Sequence, residues 1–200
     1  KKLADEVLSP KDEVVNKNLV QGGTMTDTNF LPEEDKIPDI SNYMKFEEGE
    51  NRFRVLGSSI VGQEYWKTKE SGSRTPVRVS MTTVVSVEEL EENSKTGELD
   101  MPKRFWMFPV WNYTVKHIQL LEITQKTIHK AIRSLCNSPK WGDPKNYDIV
   151  VTKEIEGGKT SYSVIADPKE PITPEILAMY KGTYINLEAI WTNEDPFKKK

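Results

Sequence analysis

Residues 103–113 read Lys-Arg-Phe-Trp-Met-Phe-Pro-Val-Trp-Asn-Tyr, and the fold hinges on that run. Its aromatic content makes Arg104–Tyr113 a strand. Pro109 inside it predicts an edge or a bend, because proline donates no ladder hydrogen bond. By alternation, one face carries Arg104, Trp106, Phe108 and Val110, and the other Phe105, Met107, Pro109, Trp111 and Tyr113. The Arg104 cation marks the first face as the solvent side, which leaves Trp106 and Phe108 exposed unless something covers them. A bulge at Pro109 would swap the faces beyond it and expose Trp111 instead. The plain alternative covers both faces, one by the core and one by an N-terminal arm.

Downstream, a tight turn near 112–115 leads to a strand over Val115–Ile123. The period then changes from 2 to 3.6. Thr124 can cap a helix whose apolar residues Ile128, Ala131, Ile132 and Leu135 form one stripe, and Asn137-Ser138-Pro139 ends it. Lys126, Lys130, Arg133 and His129 fall on its polar face and read as solvation, while Cys136 reads as a small buried hydrophobe. Asp148–Lys153 and Thr160–Ala166 form a hairpin around Glu156-Gly157-Gly158-Lys159. Thr173 and Pro174 open a short helix that Gly182 stops, and Tyr184–Trp191 reads as a closing strand.

Upstream, Arg52–Leu56 puts Arg52 and Arg54 on one face and Phe53 and Val55 on the other. Ile60–Lys67 and Val77–Met81 pair around a polar loop at 68–75. Ser86-Val87-Glu88-Glu89 has capping-box spacing for a short acidic helix, and 93–102 is loop. Residues 1–42, acidic and poor in aromatics, read as a largely irregular arm, 43–192 as the folded domain, and 193–200 as a tail. The pattern is mainly β with minor α. It predicts a five-stranded Greek-key barrel of the OB-fold type, with one amphipathic helix and extensions. A doubly wound parallel sheet does not fit the hairpins.

Charge is distributed unevenly along the 200 residues. The first 50 carry 6 basic and 12 acidic side chains, 51–87 carry 6 and 2, and 88–100 carry one Lys and six acids. Residues 101–153 then hold 9 basic and 3 acidic side chains. A formal charge of −3 therefore conceals a cationic middle rich in Trp66, Trp106, Trp111 and Trp141. That pattern points to an anionic partner, of which nucleic acid is the commonest. One Cys excludes an internal disulfide framework, and with two His it leaves too few ligands for a closed zinc site. No apolar run approaches the ~18 residues of a membrane span, and no apolar h-region follows the N-terminal lysines. An intracellular type of protein, with neither cofactor nor membrane, is the expectation.

Gripping an unpaired strand takes a cationic groove for phosphates and exposed rings for bases, each stack contributing roughly 1–3 kcal/mol. Trp106 and Phe108, or Trp111 if a bulge intervenes, supply rings. Arg52, Arg54, Arg78 and Arg104 lie on outward faces, Lys67, Lys69 and Arg74 lie in or beside the hairpin loop, and Lys103 and Trp66 adjoin them in the basic blocks. These residues are the candidate nucleic-acid contacts, with single-stranded DNA as partner.

Lys103–Tyr113, together with Ile118-Gln-Leu-Leu-Glu-Ile-Thr-Gln-Lys-Thr-Ile128 and Trp141-Gly-Asp-Pro-Lys-Asn-Tyr-Asp-Ile149, resembles the phage-encoded single-stranded DNA-binding, or helix-destabilising, proteins. The likeness runs over about residues 45–192. It implies an OB-fold that coats exposed DNA without strong sequence preference during phage replication, recombination or repair. It also implies self-association along DNA, contact with replication or recombination proteins, and the cytoplasm of an infected bacterial host. The chain departs from the group in lacking a cysteine-rich zinc cluster. It also ends Asn193-Glu-Asp-Pro-Phe-Lys-Lys-Lys200 rather than in an acidic tail. Competition of the acidic arm with DNA for the cationic groove is a corollary.

Enzyme motifs are missing: there is no phosphate loop, no G-x-S-x-G and no H-E-x-x-H. A metal-dependent nuclease would have to draw on Asp143, Asp148 and Glu154. A viral structural or assembly protein that uses the barrel for protein contacts is the other alternative.

Overall fold

The computed structural model describes residues 40–93 and 96–199. The arm expected over 1–42 therefore lies outside the described residues, apart from 40–42.

The described chain is mainly β. Its strands are β1 (Tyr43–Met44), β2 (Gly49–Val55), β3 (Ile60–Thr68), β4 (Arg74–Ser80), β5 (Lys103–Asn112), β6 (His117–Ile123), β7 (Asp148–Glu156) and β8 (Lys159–Ala166). Two helices, α1 (Lys126–Asn137) and α2 (Pro174–Gly182), interrupt and follow them. All the strands join one sheet, which runs β1-β6-β5-β2-β7-β8 with β3 also on β5 and β4 on β3. Only β1–β6 is parallel, so the sheet is mixed. Among the described residues the ladders leave open edges, in place of the closed five-stranded barrel expected.

β5 organises the sheet. Along one edge it takes β2 at Phe53↔Asn112 to Val55↔Val110 and then β3 at Ile60↔Met107 to Glu64↔Lys103. Thus β2 and β3 behave as one long path, bent at 56–59. Pro109 sits at that bend, where the Leu56 N–H donates to its carbonyl at 2.9 Å, so the missing N–H breaks no ladder there. Gly57 is required at the same point: a Cβ would strike the Tyr180 hydroxyl and lie 2.9 Å from Pro109 Cγ. The β7–β8 turn is Gly157-Gly158, at φ 56° and 78°, the left-handed geometry of a tight hairpin.

Both faces of β5 are buried from Met107 onward, so the solvent face expected from Arg104 is confined to the first residues, with Arg104 exposed, Trp106 half-buried and Phe108 buried. Phe108 and Val110 pack with Phe53, Val55, Leu121, Ile123, Tyr147 and Ile149 beneath Ile128 and Ile132 of α1. On the opposite face, Phe105, Met107 and Leu120 meet Ile190 and Trp191, while Trp111 packs with Leu56, Ile118 and Ile176 of α2. The strand is longer than the helix that covers it, so Arg104 reports only its uncovered end.

Three further corrections concern local signals. Tyr184–Trp191 is not a strand: Leu187–Thr192 is a 3-10 helix, with the Asn186 side chain accepting from Glu188 N–H and Asn193 in the left-handed region at φ 56°. Its apolar Leu187, Ile190 and Trp191 turn one side to the sheet. α1 starts after Gln125 and not at Thr124, and no side chain caps it. Residues 193–197 are no free tail, since Asn186 N–H donates to the Pro196 carbonyl at 2.8 Å and Phe197 packs with Ile190. α2 begins as expected, with Thr173 accepting from Ile176 N–H.

Candidate nucleic-acid interface

β5 carries Trp106 past the edge of the α1 core, between Val61 of β3 and Ile123 of β6. Residues 129 and 133 lie one turn apart on α1, so both side chains meet the ring. His129 stacks on Trp106 with centroids 4.4 Å apart and planes 30° apart, and the Arg133 guanidinium lies 5.7 Å from the ring centroid. A cleft of about 470 Å³ opens beside this stack. Val55, Phe108 and Ile132 form its apolar floor; Arg104, Arg133, Lys145 and the Ser58-Ser59 bend form its rim.

The electrostatics are one-sided. Arg104 and Arg133 are exposed, and among the described residues neither has a carboxylate partner. Lys145 is held 3.3 Å from Asp143 at the surface, a pairing that contributes little against solvent. A second hollow, about 550 Å³, shares Arg104 and adds His129, Lys103 and Lys126, but Glu98 and Asp100 line it too and Asp100 takes Lys103, so the unpaired positive charge stays at the Arg104 end. Contrary to the polar-face reading, His129 is 8 % exposed, and its Nε2–H donates to the Ile123 carbonyl at 2.8 Å. Burial drives its pKa below the ordinary value; the Ile123 bond opposes the shift, and Arg104 and Arg133 add to it. The ring beneath Trp106 is therefore neutral at neutral pH.

Cys136 lines the same cleft and is exposed, not buried as its chemistry suggested. Desolvation and the Asp143 carboxylate push its thiol pKa up, the opposite of an activated nucleophile.

The remaining predicted contacts separate into other places. Arg54 is buried: its side chain is 3 % exposed, ion-paired to Asp148, and its Nη1 donates to the Glu170 carbonyl at 2.9 Å. Arg52 meets Asp148 at 2.7 Å and Asp167 at 3.0 Å, and stacks over Tyr113. Phe108 and Trp111 belong to the core. Trp66 and Arg78 line a different cleft, of about 360 Å³, where Arg78 Nη2 donates to Glu122 at 2.6 Å. On the β3–β4 hairpin, Lys69 is exposed, Lys67 lies 3.9 Å from Glu89, and Arg74 reaches Asp100 at 3.1 Å. Lys103 shares that Asp100 at 3.5 Å. Arg104 and Trp106 are thus brought together over Phe108, and Arg133, expected as solvation, and Lys145, outside the expected contacts, complete their cleft. The available signal was the spacing of His129 and Arg133 on one turn.

Among the described residues no cluster of His, Cys, Asp and Glu is arranged to hold a metal ion, and no described helix is long and apolar enough to cross a membrane. The carboxylates considered for a nuclease are dispersed. Asp143 accepts from Lys145 N–H, Asp148 serves Arg52, Arg54 and Tyr113, and Glu154 faces Ser161. No family model, curated protein or solved structure matches the chain.

Proposed function

We propose that the chain binds single-stranded DNA without strong sequence preference, at the Trp106 cleft. The observation that carries this reading is a half-exposed indole flanked by Arg104 and Arg133, neither neutralised by a carboxylate among the described residues. A base stacking on Trp106 extends the existing His129 stack, and its phosphates meet the arginines and Lys145. The flat ring accepts any base, which accounts for weak sequence preference. The long bent path of β2 and β3 across β5, closed beneath by α1, supports an OB-like organisation, though with more strands than the five of that fold. The resemblance to phage helix-destabilising proteins extends the reading to protection and straightening of DNA during replication, recombination or repair in an infected bacterial cytoplasm. Self-association along the strand, and contact with replication or recombination proteins, follow from the same resemblance.

Titration with oligo-dT, followed by Trp fluorescence, tests the reading. Quenching that saturates with single-stranded but not double-stranded oligomers, and that salt weakens, is expected. Quenching that Trp106→Phe leaves untouched, or binding indifferent to salt, would assign the cleft to a protein partner instead, as in a viral assembly protein.

A further inference from the structure

The second Trp-lined cleft has chemistry of its own. Tyr43 and Phe46 from the β1 segment, Trp66 and Pro76 from the hairpin, and Tyr162 from β8 form its walls, with Glu64, Arg78 and Glu122 among them. The register explains the cluster: Glu64 of β3 sits directly opposite Arg78 of β4, and Glu122 projects from β6. Arg78 gives its Nη2 hydrogen bond to Glu122. Its Nε remains 3.7 Å from Glu64 Oε2, and both atoms are buried without a hydrogen bond. The Glu64 side chain is 7 % exposed.

Two carboxylates therefore face one guanidinium. Lys103 acts on Glu64 from β5, but its ammonium is drawn to Asp100. Lys45 stands at the lining on the β1 side, Tyr43 is a neutral phenol raised above its ordinary pKa chiefly by burial, and Asp195 adds negative charge near Tyr43. Lys45 is exposed at the lip, so at the buried end two carboxylates share the single charge of Arg78. A proton can supply the second charge: burial first, then contact with Glu122, pushes the Glu64 carboxyl up to about 8. An N–H donor carrying its own charge can supply it as well, and aromatic faces favour such a cation.

We propose that this cleft receives one organic cation, an alkylammonium or guanidinium on an apolar stem. Its charge replaces the proton at Glu64, and its stem lies among Tyr43, Phe46, Trp66 and Tyr162. No bond to carbon forms or breaks; one proton leaves Glu64 for solvent as the cation enters. The site is independent of the DNA reading, since it shares no lining residue with the Trp106 cleft.

Titration of the full chain with n-butylammonium and n-butylguanidinium, followed by NMR shifts of the Trp66 indole, tests it. Saturable binding is expected, strengthening about tenfold per pH unit below about pH 8 and levelling above, as proton competition requires. Calorimetry at pH 7 in two buffers of different ionisation enthalpy should register proton release. Glu64→Gln should weaken binding tenfold or more, and Trp66→Leu, at a half-exposed wall position, should weaken it without loss of fold. Spermidine and acetyl-Gly-Lys-Gly-amide serve as source arms: tighter binding of the first assigns a free polyamine, of the second a basic side chain of a partner protein. Absence of saturable binding at pH 9, or binding that neither variant changes, would overturn the proposal. Because Trp106→Ala leaves this cleft intact, failure here is separable from failure of DNA binding.

Discussion

Two clefts on this molecule each set a tryptophan beside arginine, yet their electrostatics are opposite. Beside Trp106, Arg104 and Arg133 stand without carboxylate partners among the described residues. Beside Trp66, Arg78 is answered by Glu64 and Glu122. The first presents uncompensated positive charge to a strand of phosphates; the second presents a charge deficit suited to a cation. A basic residue next to a ring is therefore not in itself a phosphate site: what decides is whether an acid from a third strand reaches the basic group.

Arg54 takes that lesson furthest and gives the largest expected effect. Arg54→Ala leaves Asp148 buried with one partner fewer, and removing one member of a buried pair costs about 3–5 kcal/mol. Urea unfolding should show that loss, while the protein that remains folded binds oligo-dT as before. A selective loss of DNA affinity with stability unchanged would place Arg54 in the interface after all.

Trp106→Ala comes next. Removal of one stacking platform should weaken oligo-dT binding by about 1–3 kcal/mol, roughly five- to 150-fold. Trp66→Ala should leave it within about twofold, a margin set by the scatter of surface substitutions. Equal losses from the two variants would erase the distinction between the clefts.

Acid and base then separate the clefts in opposite directions. The Glu64 carboxyl titrates near 8 in the folded chain against 4.5 ordinarily, so the folded state holds its proton more tightly than the unfolded state does. Its contribution to stability is full below about pH 4.5 and is lost as pH rises through 8. Glu64→Gln should flatten thermal stability between pH 6 and 9, and an unchanged profile would count against a buried acid. His129 works the other way and more weakly. With its folded pKa lowered, its contribution is present above 6.5 and lost as pH falls through the folded value. His129→Phe should remove part of the acid sensitivity below pH 6.5, measured by the same thermal scans.

Much of the local architecture could be read from residues close together. Thr173-Pro174 opens α2, Gly157-Gly158 turns the last hairpin, and the Ile128/Ile132 stripe finds the core. Each signal is complete within one or two turns of chain. What could not be read depended on distance along the sequence. Arg54 looks outward by alternation, but its partner Asp148 lies 94 residues away. What covers Trp111 and Phe105 was not legible because those segments, Ile176 to Trp191, follow more than 60 residues later and take a helical form that their apolar spacing disguises as a strand. Of the candidate contacts, Arg104 and Trp106 share the Trp106 cleft with Phe108 beneath them, since strand alternation does keep 104, 106 and 108 on one side. Arg133 is not legible from the helix alone, because its contact is with Trp106 on the strand that the helix covers.

The salt dependence of oligo-dT binding tests the central claim most directly, compared between the unmodified chain and an Arg104→Ala/Arg133→Ala variant. Each phosphate contact contributes about −0.7 to the slope of log K against log salt for a single strand, so the double variant should lose about 1.4 of slope together with affinity. A slope identical in the two proteins would contradict the assignment of the Trp106 cleft as the place where DNA is held.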